Sequence, residues 1–220
     1  MYLKIDLHVH TVYSDGKGSV REVLEVARRK GLDGLAITDH NTIDGYFAAK
    51  SYGTDIYILP GYEVTTDAGH ILVLGLERTP PAINLAPYPY EYLMRWVKRM
   101  GGLAILAHPA AGKIRLNRWM QYKPDAVEVL NASYPLFHPL VDRGLSVASR
   151  LKVASVGGSD AHDPQSVGDA YTIVEVADNL DEERIIEAIR NGKSRYGGGL
   201  SSFLIRLRMG LGYLLSGYNI

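Results

Sequence analysis

Short apolar runs, each ending in a histidine or a carboxylate, recur along the whole chain, with amphipathic helical patterns between them. That alternation is the strongest constraint on the fold. Tyr2 to Val9 alternates apolar and polar residues at period two, which predicts a strand. It carries the run Asp6-Leu7-His8-Val9-His10 and empties into a loop with Ser14-Asp15-Gly16. Ser19 and Glu22 form a capping box ahead of Val20, Val23, Leu24 and Ala27 at helical spacing, with Gly31 as the stop. A helix over Val20 to Lys30 is expected. Leu35-Ala36-Ile37-Thr38 then ends in Asp39-His40, and Asp55 to Leu59 ends in Pro60-Gly61-Tyr62-Glu63. Strand, helix, strand, helix, strand is the order of βα units on a parallel sheet.

The pattern changes after Glu63. Val64-Thr65-Thr66 and His70-Ile71-Leu72-Val73-Leu74 flank Asp67-Ala68-Gly69, a hairpin-type turn. Four prolines between Thr79 and Pro89 mark an ordered surface connection. Tyr90 to Met100 is helical and stops at Gly101-Gly102; Leu103 to Ala107 is a buried strand capped by His108-Pro109. Ala126 to Leu130 is a strand ending at Asn131, Pro139 to Leu151 suits a helix, and Lys152 to Val156 leads into Gly157-Gly158-Ser159-Asp160-Ala161-His162. A last strand, Tyr171 to Val176, precedes a helix over Asp181 to Asn191 capped by Gly192.

The 220 residues, 46% of them hydrophobic, suffice for one substantial core, so a single barrel-sized domain is expected. Basic and acidic residues number 24 each, so nothing calls for a polyanionic partner, and stable binding of duplex nucleic acid is not expected. Without cysteine there are no disulfides and no thiolate ligands. The N-terminus enters a strand directly, with no signal-peptide pattern, and no segment reads as transmembrane. A cytoplasmic address is the expectation.

Six of the seven histidines (His8, His10, His40, His70, His108 and His162) sit at or beside strand ends, as do Glu63 and Asp160. In parallel βα architectures the loops leaving the C-terminal strand ends converge on one rim. His8 and His10, two apart on a strand, face the same side, where neutral imidazoles chelate well. A shared metal site is the economical reading. The seventh histidine, His138, reads as a helix-start or surface residue.

The run Asp6 to Thr11 with Ser14-Asp15-Gly16, then Ile37-Thr38-Asp39-His40, Gly61-Tyr62-Glu63, His108-Pro109 and Gly158 to His162, resembles the PHP (polymerase and histidinol phosphatase) family. The blocks appear in order across Tyr2 to Tyr196. The resemblance implies an α/β fold, a distorted TIM-like (β/α)7 barrel over residues 1–200, with two or three divalent metals at the C-terminal rim. It also implies phosphoester hydrolysis by a metal-held hydroxide. Carried onto this sequence, one metal falls to His8, His10, Glu63 and Asp160. A second falls to bridging Glu63 with His70 and His108, and a third to Asp15, His40 and His162. Glu63, Asp160, His162 and Asp39 are the catalytic candidates. Several family members have a histidine where this chain has Asp15, a departure shared with the nucleotide-hydrolysing branch. Metals about 3.5–4 Å apart can neutralise phosphoryl oxygens and stabilise the leaving oxygen of an in-line displacement. Nitrogen with carboxylate oxygen suits Zn²⁺, Mn²⁺ or Fe²⁺.

Asp39 is read either as an orienter of the site or as a helix cap for the Thr42 segment. Asn131 is a candidate for bonding substrate, or a loop cap. Lys113, Arg115 and Arg118 follow His108-Pro109 and either grip a phosphate beside the metals or form a solvated helix face. Arg195-Tyr196-Gly197-Gly198-Gly199 offers a Gly-rich loop where backbone could approach an anion, or merely a turn. From Phe203 to Leu215 runs an apolar stretch with Arg206, Arg208, Gly210 and Gly212, too short and too charged to span a bilayer. Residues 201–220 are therefore expected to pack on the barrel or on a second subunit. The expected activity is hydrolysis of a small phosphorylated molecule, a nucleotide or short oligonucleotide. Histidinol-phosphatase-like activity and a non-catalytic metal-binding module are the alternatives.

Overall fold

The computed structural model describes residues 1–135, 137–177 and 181–207. The first half runs β1 (Tyr2–Val9), α1 (Val20–Arg29), β2 (Gly34–Ile37), α2 (Asp44–Ser51), β3 (Tyr57–Leu59), β4 (Gly61–Thr66), β5 (Gly69–Leu74) and α3 (Tyr90–Met100). The second continues with β6 (Leu103–Leu106), α4 (Leu116–Gln121), β7 (Ala126–Asn131), α5 (Phe137–Leu151), β8 (Ala154–Gly158), β9 (Ala170–Glu175), α6 (Glu182–Arg190) and β10 (Ser194–Gly198).

Local chemistry accounts for most boundaries. The Ser19 hydroxyl accepts from the Glu22 amide, and the Glu22 carboxylate accepts from the Ser19 amide at 2.8 Å, which satisfies two orphan donors at the start of α1. Gly101, with φ of 80°, ends α3 in the left-handed conformation that a residue with a Cβ resists. Val20, Val23, Leu24 and Ala27 of α1 and Leu93, Met94, Trp96 and Val97 of α3 are buried. These stripes cover sheets whose strands β2 and β6 are buried at every position, and each fully buried Leu or Ile contributes about 1.5–3 kcal/mol.

The α/β class holds, but the ladders divide the strands between two five-stranded sheets, ordered β10-β9-β1-β2-β3 and β4-β5-β6-β7-β8. The expectation was one seven-stranded barrel. Pairing is parallel along β1-β2-β3 and β6-β7-β8 and antiparallel at β9, β10 and the β4-β5-β6 meander. Isolated parallel bridges, His40 with Glu63 and Val9 with Ala161, join the sheets where the site residues emerge. The Arg195 to Gly199 segment is mostly edge strand β10, paired antiparallel to β9, and not an anion-binding loop. Packing accounts for Gly197, where a Cβ would lie 2.7 Å from the Tyr171 ring.

At the C-terminal end, residues 203–207 form a short helical turn. Ser201 N–H donates to Ala132 O at 2.9 Å and the Arg206 guanidinium donates to Tyr134 O and Pro135 O. Phe203, Leu204 and Leu207 stay exposed. The rest of the expected tail, from Arg208 to Leu215, lies outside the described residues. Among the described residues no helix is long and apolar enough to cross a membrane.

Candidate metal centre

β1 ends with His8 and His10 side by side and buried. His8 Nε2 lies 3.1 Å from His10 Nε2, 3.1 Å from Glu63 Oε2 and 3.3 Å from Asp160 Oδ1. His10 Nε2 lies 3.2 and 3.3 Å from the same two oxygens. Glu63 turns its other oxygen, Oε1, to His70 Nδ1 at 2.8 Å and His108 Nε2 at 3.2 Å. His40 Nδ1 stands 3.4 Å from Glu63 Oε2. A further group gathers around Asp15 Oδ2, with His162 Nε2 at 3.2 Å and His40 Nε2 at 3.6 Å, while His10 Nδ1 lies 3.6 Å from Oδ1. The structure thus brings together all nine residues that the sequence offered as ligands.

Buried contacts hold these residues in place. Asp6, fully buried in β1, accepts from Ser159 N–H at 2.9 Å and from Gly168 N–H at 2.8 Å, so it ties β1 to the loop carrying Asp160. Burial pushes its carboxyl up to about 6 against these bonds. Asp160 and His108 both have positive φ, 52° and 28°, conformations that cost about 1–3 kcal/mol and concentrate at functional sites.

Burial disfavours charge here, yet the pairing outweighs it. His8 is raised well above its ordinary value because Asp160, Glu128 and Glu63 overcome its desolvation. His10 rises to about 10 against desolvation through Asp160 and Glu63. Glu63 and Asp160, although desolvated, are held well below the carboxylate range, chiefly by His8. Asp15 is lowered too, as His162, His10 and His40 outweigh its burial. His40 goes the other way, because desolvation lowers it more than Glu63 raises it.

A divalent cation fits this arrangement. Imidazole nitrogens and carboxylate oxygens are electron-pair donors, and at 3.1 to 3.3 Å from one another they need a shared positive charge. His10 Nδ1 and His40 Nδ1 are buried with no hydrogen-bond partner, a costly state for a polar atom that ligation relieves. Among the described residues, four groups of three or more donors lie within 4.8 Å of one another: His10-Asp15-His40-His162, His8-His10-Glu63, His8-His108-Glu128 and Glu63-His70-His108. All donors are nitrogen or oxygen, the set for Zn²⁺, Mn²⁺ or Fe²⁺.

Other expected residues sit elsewhere. Asp39 is buried and does not cap α2, whose N-cap is Ile43. Its oxygens accept from Thr11 N–H, Thr11 O–H and Ser14 O–H, each at 2.7 Å, so it clamps the loop carrying Asp15. Asn131 donates its amide to Glu128 Oε2 and Asp160 Oδ2, at 3.0 and 3.2 Å, and its Oδ1 accepts from Ser133 N–H at 2.9 Å. Arg118 is tied to Asp67 Oδ2 at 2.8 Å, a pairing that competes with the expected phosphate grip. Lys113 and Arg115 remain exposed beyond His108. His138 falls in the first turn of α5. Glu128 of β7 escaped sequence reasoning. The available signal was a lone carboxylate inside the otherwise apolar Ala126 to Leu130 run, every position of which is buried.

Together the fold and the clustered imidazoles and carboxylates define a metal-dependent phosphoesterase. The chain belongs to the PHP domain family, which residues 6–139 match, while residues 141–194 match the family described as PHP-associated. An uncharacterized protein of Methanocaldococcus jannaschii, MJ1587, is 37% identical over 147 residues, covering 59% of this chain and 82% of that protein. A phosphoribosyl 1,2-cyclic phosphate 1,2-diphosphodiesterase of Eggerthella lenta is 40% identical over 86 residues, 36% of this chain and 33% of the enzyme. A 5'-3' exoribonuclease of Haemophilus influenzae is 37% identical over 92 residues, 38% of this chain and 33% of that enzyme. The chain therefore matches about a third of the length of these two enzymes. A two-domain protein of Bacteroides vulgatus, described as containing a predicted PHP-like metal-dependent phosphoesterase, shares the fold. Its TM-score is 0.75 at 21% identity, over 90% of this chain and 65% of that one.

Proposed function

We propose that this chain hydrolyses phosphate esters of nucleotides, either nucleoside mono- or bisphosphates or short oligonucleotides, at a centre of two or three divalent ions. The observation that carries the reading is Glu63, whose two oxygens face separate histidine groups at 2.8 to 3.4 Å. His8, His10, Glu63 and Asp160 would hold one ion, Glu63 with His70 and His108 a second, and Asp15, His40 and His162 a third. Mn²⁺, Zn²⁺ or Fe²⁺, when bound, offsets phosphoryl charge and acidifies water.

The remaining tasks fall to the chain's own residues. His8, His10 and Glu63 form the dry floor of the site, where electrostatic effects are strong. The side chains of Asp15, His70, His40 and His108 are 46%, 34%, 26% and 23% exposed, so the phosphoryl group approaches from their side. Lys113 and Arg115 supply cations for phosphate outside the reacting centre. The names of the cyclic-phosphate diesterase and the exoribonuclease support a ribose-linked phosphate ester as the substrate class. The remaining parts of the proposal are a cytoplasmic setting and a tail from residue 201 that covers the barrel or a second copy.

The test is to strip the protein with chelator, reload it separately with Mn²⁺, Zn²⁺ and Fe²⁺, and measure phosphate release. Substrates should include nucleotides, nucleoside bisphosphates, short RNA, sugar phosphates and histidinol phosphate. Metal-dependent turnover of nucleotides or short RNA is expected. Preference for histidinol phosphate would overturn the substrate class, and no turnover with any metal would overturn the enzymatic reading.

A further inference from the structure

Glu128 is a fully buried carboxylate in the middle of β7, and its contacts reach three different parts of the site. Oε1 lies 3.0 Å from His8 Nδ1; Oε2 accepts from His108 N–H at 2.9 Å and from Asn131 Nδ2 at 3.0 Å. The same Asn131 amide reaches Asp160 Oδ2 at 3.2 Å. A hydrogen on His8 Nδ1 satisfies that carboxylate, and once a metal ion replaces the proton on Nε2, this nitrogen is placed to ligate beside Glu63, Asp160 and His10.

We propose that Glu128 is a positioning residue for the metal centre, holding His8 as the Nδ1–H tautomer and fixing His108 and Asp160 around it. The proposal rests on reading the cluster as a metal centre. A second feature of the fold serves the same contact: at Gly158 a Cβ would lie 2.7 Å from Glu128 Oε1 and 2.7 Å from His8 Cβ. Only a residue with no side chain lets the carboxylate and the imidazole meet there. Glu128 is not itself a ligand, although it stands within ligand distance of His8 and His108. Both of its oxygens are already engaged, one by the His8 ring and the other by a backbone N–H and an amide.

The experiment compares wild type with Glu128→Gln and Glu128→Ala, reading metal affinity by chelator competition, ion stoichiometry at saturating metal and the ¹⁵N signature of His8 in Zn²⁺-loaded protein. Replacing a carboxylate that holds a histidine ligand by its other ring nitrogen typically weakens metal affinity about 10–100-fold. A loss of that size is expected in both variants, with full stoichiometry at saturating metal and a His8 signal that no longer reports a protonated Nδ1. Gly158→Ala should weaken metal binding in the same direction, and it provides the readout if Glu128→Ala does not fold. Unchanged affinity with lowered thermal stability would overturn the proposal in favour of a purely structural carboxylate. Loss of one ion at saturation would overturn it in favour of direct ligation. If wild type binds no ion, the metal-centre reading fails first, and a hydrogen-bonded Nδ1–H of His8, present in wild type and absent in Glu128→Ala, still tests the contact with Glu128.

Discussion

Glu63 Oε1 lies 2.8 Å from His70 Nδ1, and the opposite oxygen of the same carboxylate faces His8, His10 and His40. One side chain thus joins both halves of the site. Glu63→Gln places an amide hydrogen where one of these oxygens stood. Turnover should fall by at least about a hundredfold, the scale seen when a single transition-state contact is removed, while thermal unfolding stays cooperative. Near-wild-type turnover would show that the carboxylate does not bridge.

Asp15 is the most exposed of the candidate ligands and stands apart from the Glu63 pair, beside His162 and His40. Asp15→Ala should cost one ion equivalent in elemental analysis and leave the two ions at Glu63 in place. Loss of all bound metal would mean that the groups cannot fill independently.

Asp39 accepts three hydrogen bonds of 2.7 Å from Thr11 and Ser14 in a buried setting. Asp39→Asn turns an amide against those donors and removes the charge that strengthens them. Chemical denaturation should show a loss of about 2–3 kcal/mol, together with weaker binding of the ion at Asp15. A change below the error of the measurement would show that the clamp is dispensable.

In metal-free protein His10 is raised from 6.5 to about 10, where Asp160 and Glu63 prevail over desolvation, and His8 and His108 are raised as well. A group raised in the folded state contributes stability that is fully present below its unfolded value and lost as pH climbs through the folded one. The thermal midpoint of metal-free protein should therefore fall between pH 6.5 and about 10. A divalent ion must displace the same protons, so the midpoint gain on adding Mn²⁺ should grow across that window. A gain independent of pH would contradict the protonation of these imidazoles.

Lys113 and Arg115 are exposed beyond His108, whereas Arg118 is paired with Asp67 at the tip of the β4-β5 hairpin. The double variant Lys113→Ala/Arg115→Ala should raise KM for nucleoside bisphosphates much more than for p-nitrophenyl phosphate, because the lost contacts lie outside the reacting centre. Arg118→Ala removes an exposed pair worth at most about 1 kcal/mol and should leave KM unchanged. Equal losses for both substrates would remove these cations from substrate recognition.

The βα alternation, and the six histidines, Glu63 and Asp160 set at strand ends, were legible in the sequence, and the family resemblance added Asp15 to them. Each of those signals is local: His8 and His10 share a face because a strand has period two, and Ser19 with Glu22 starts α1 within a single turn. Strand ends then converge because parallel βα units leave them no other place. Only the tertiary structure decided what depends on pairing between distant segments. The division into two sheets, and the place of the glycine-rich β10 at an edge beside β9, are settled by which distant strands pair. Glu128 lies 120 positions from His8 and reads in sequence as one polar residue in an apolar strand. Asp39, Asn131 and Arg118 look like free polar groups until the fold sets Thr11, Asp160 and Asp67 beside them. Burial gives the physical reason: a carboxylate or amide taken out of water must find its partner inside the protein, and chain folding, not sequence spacing, chooses which one.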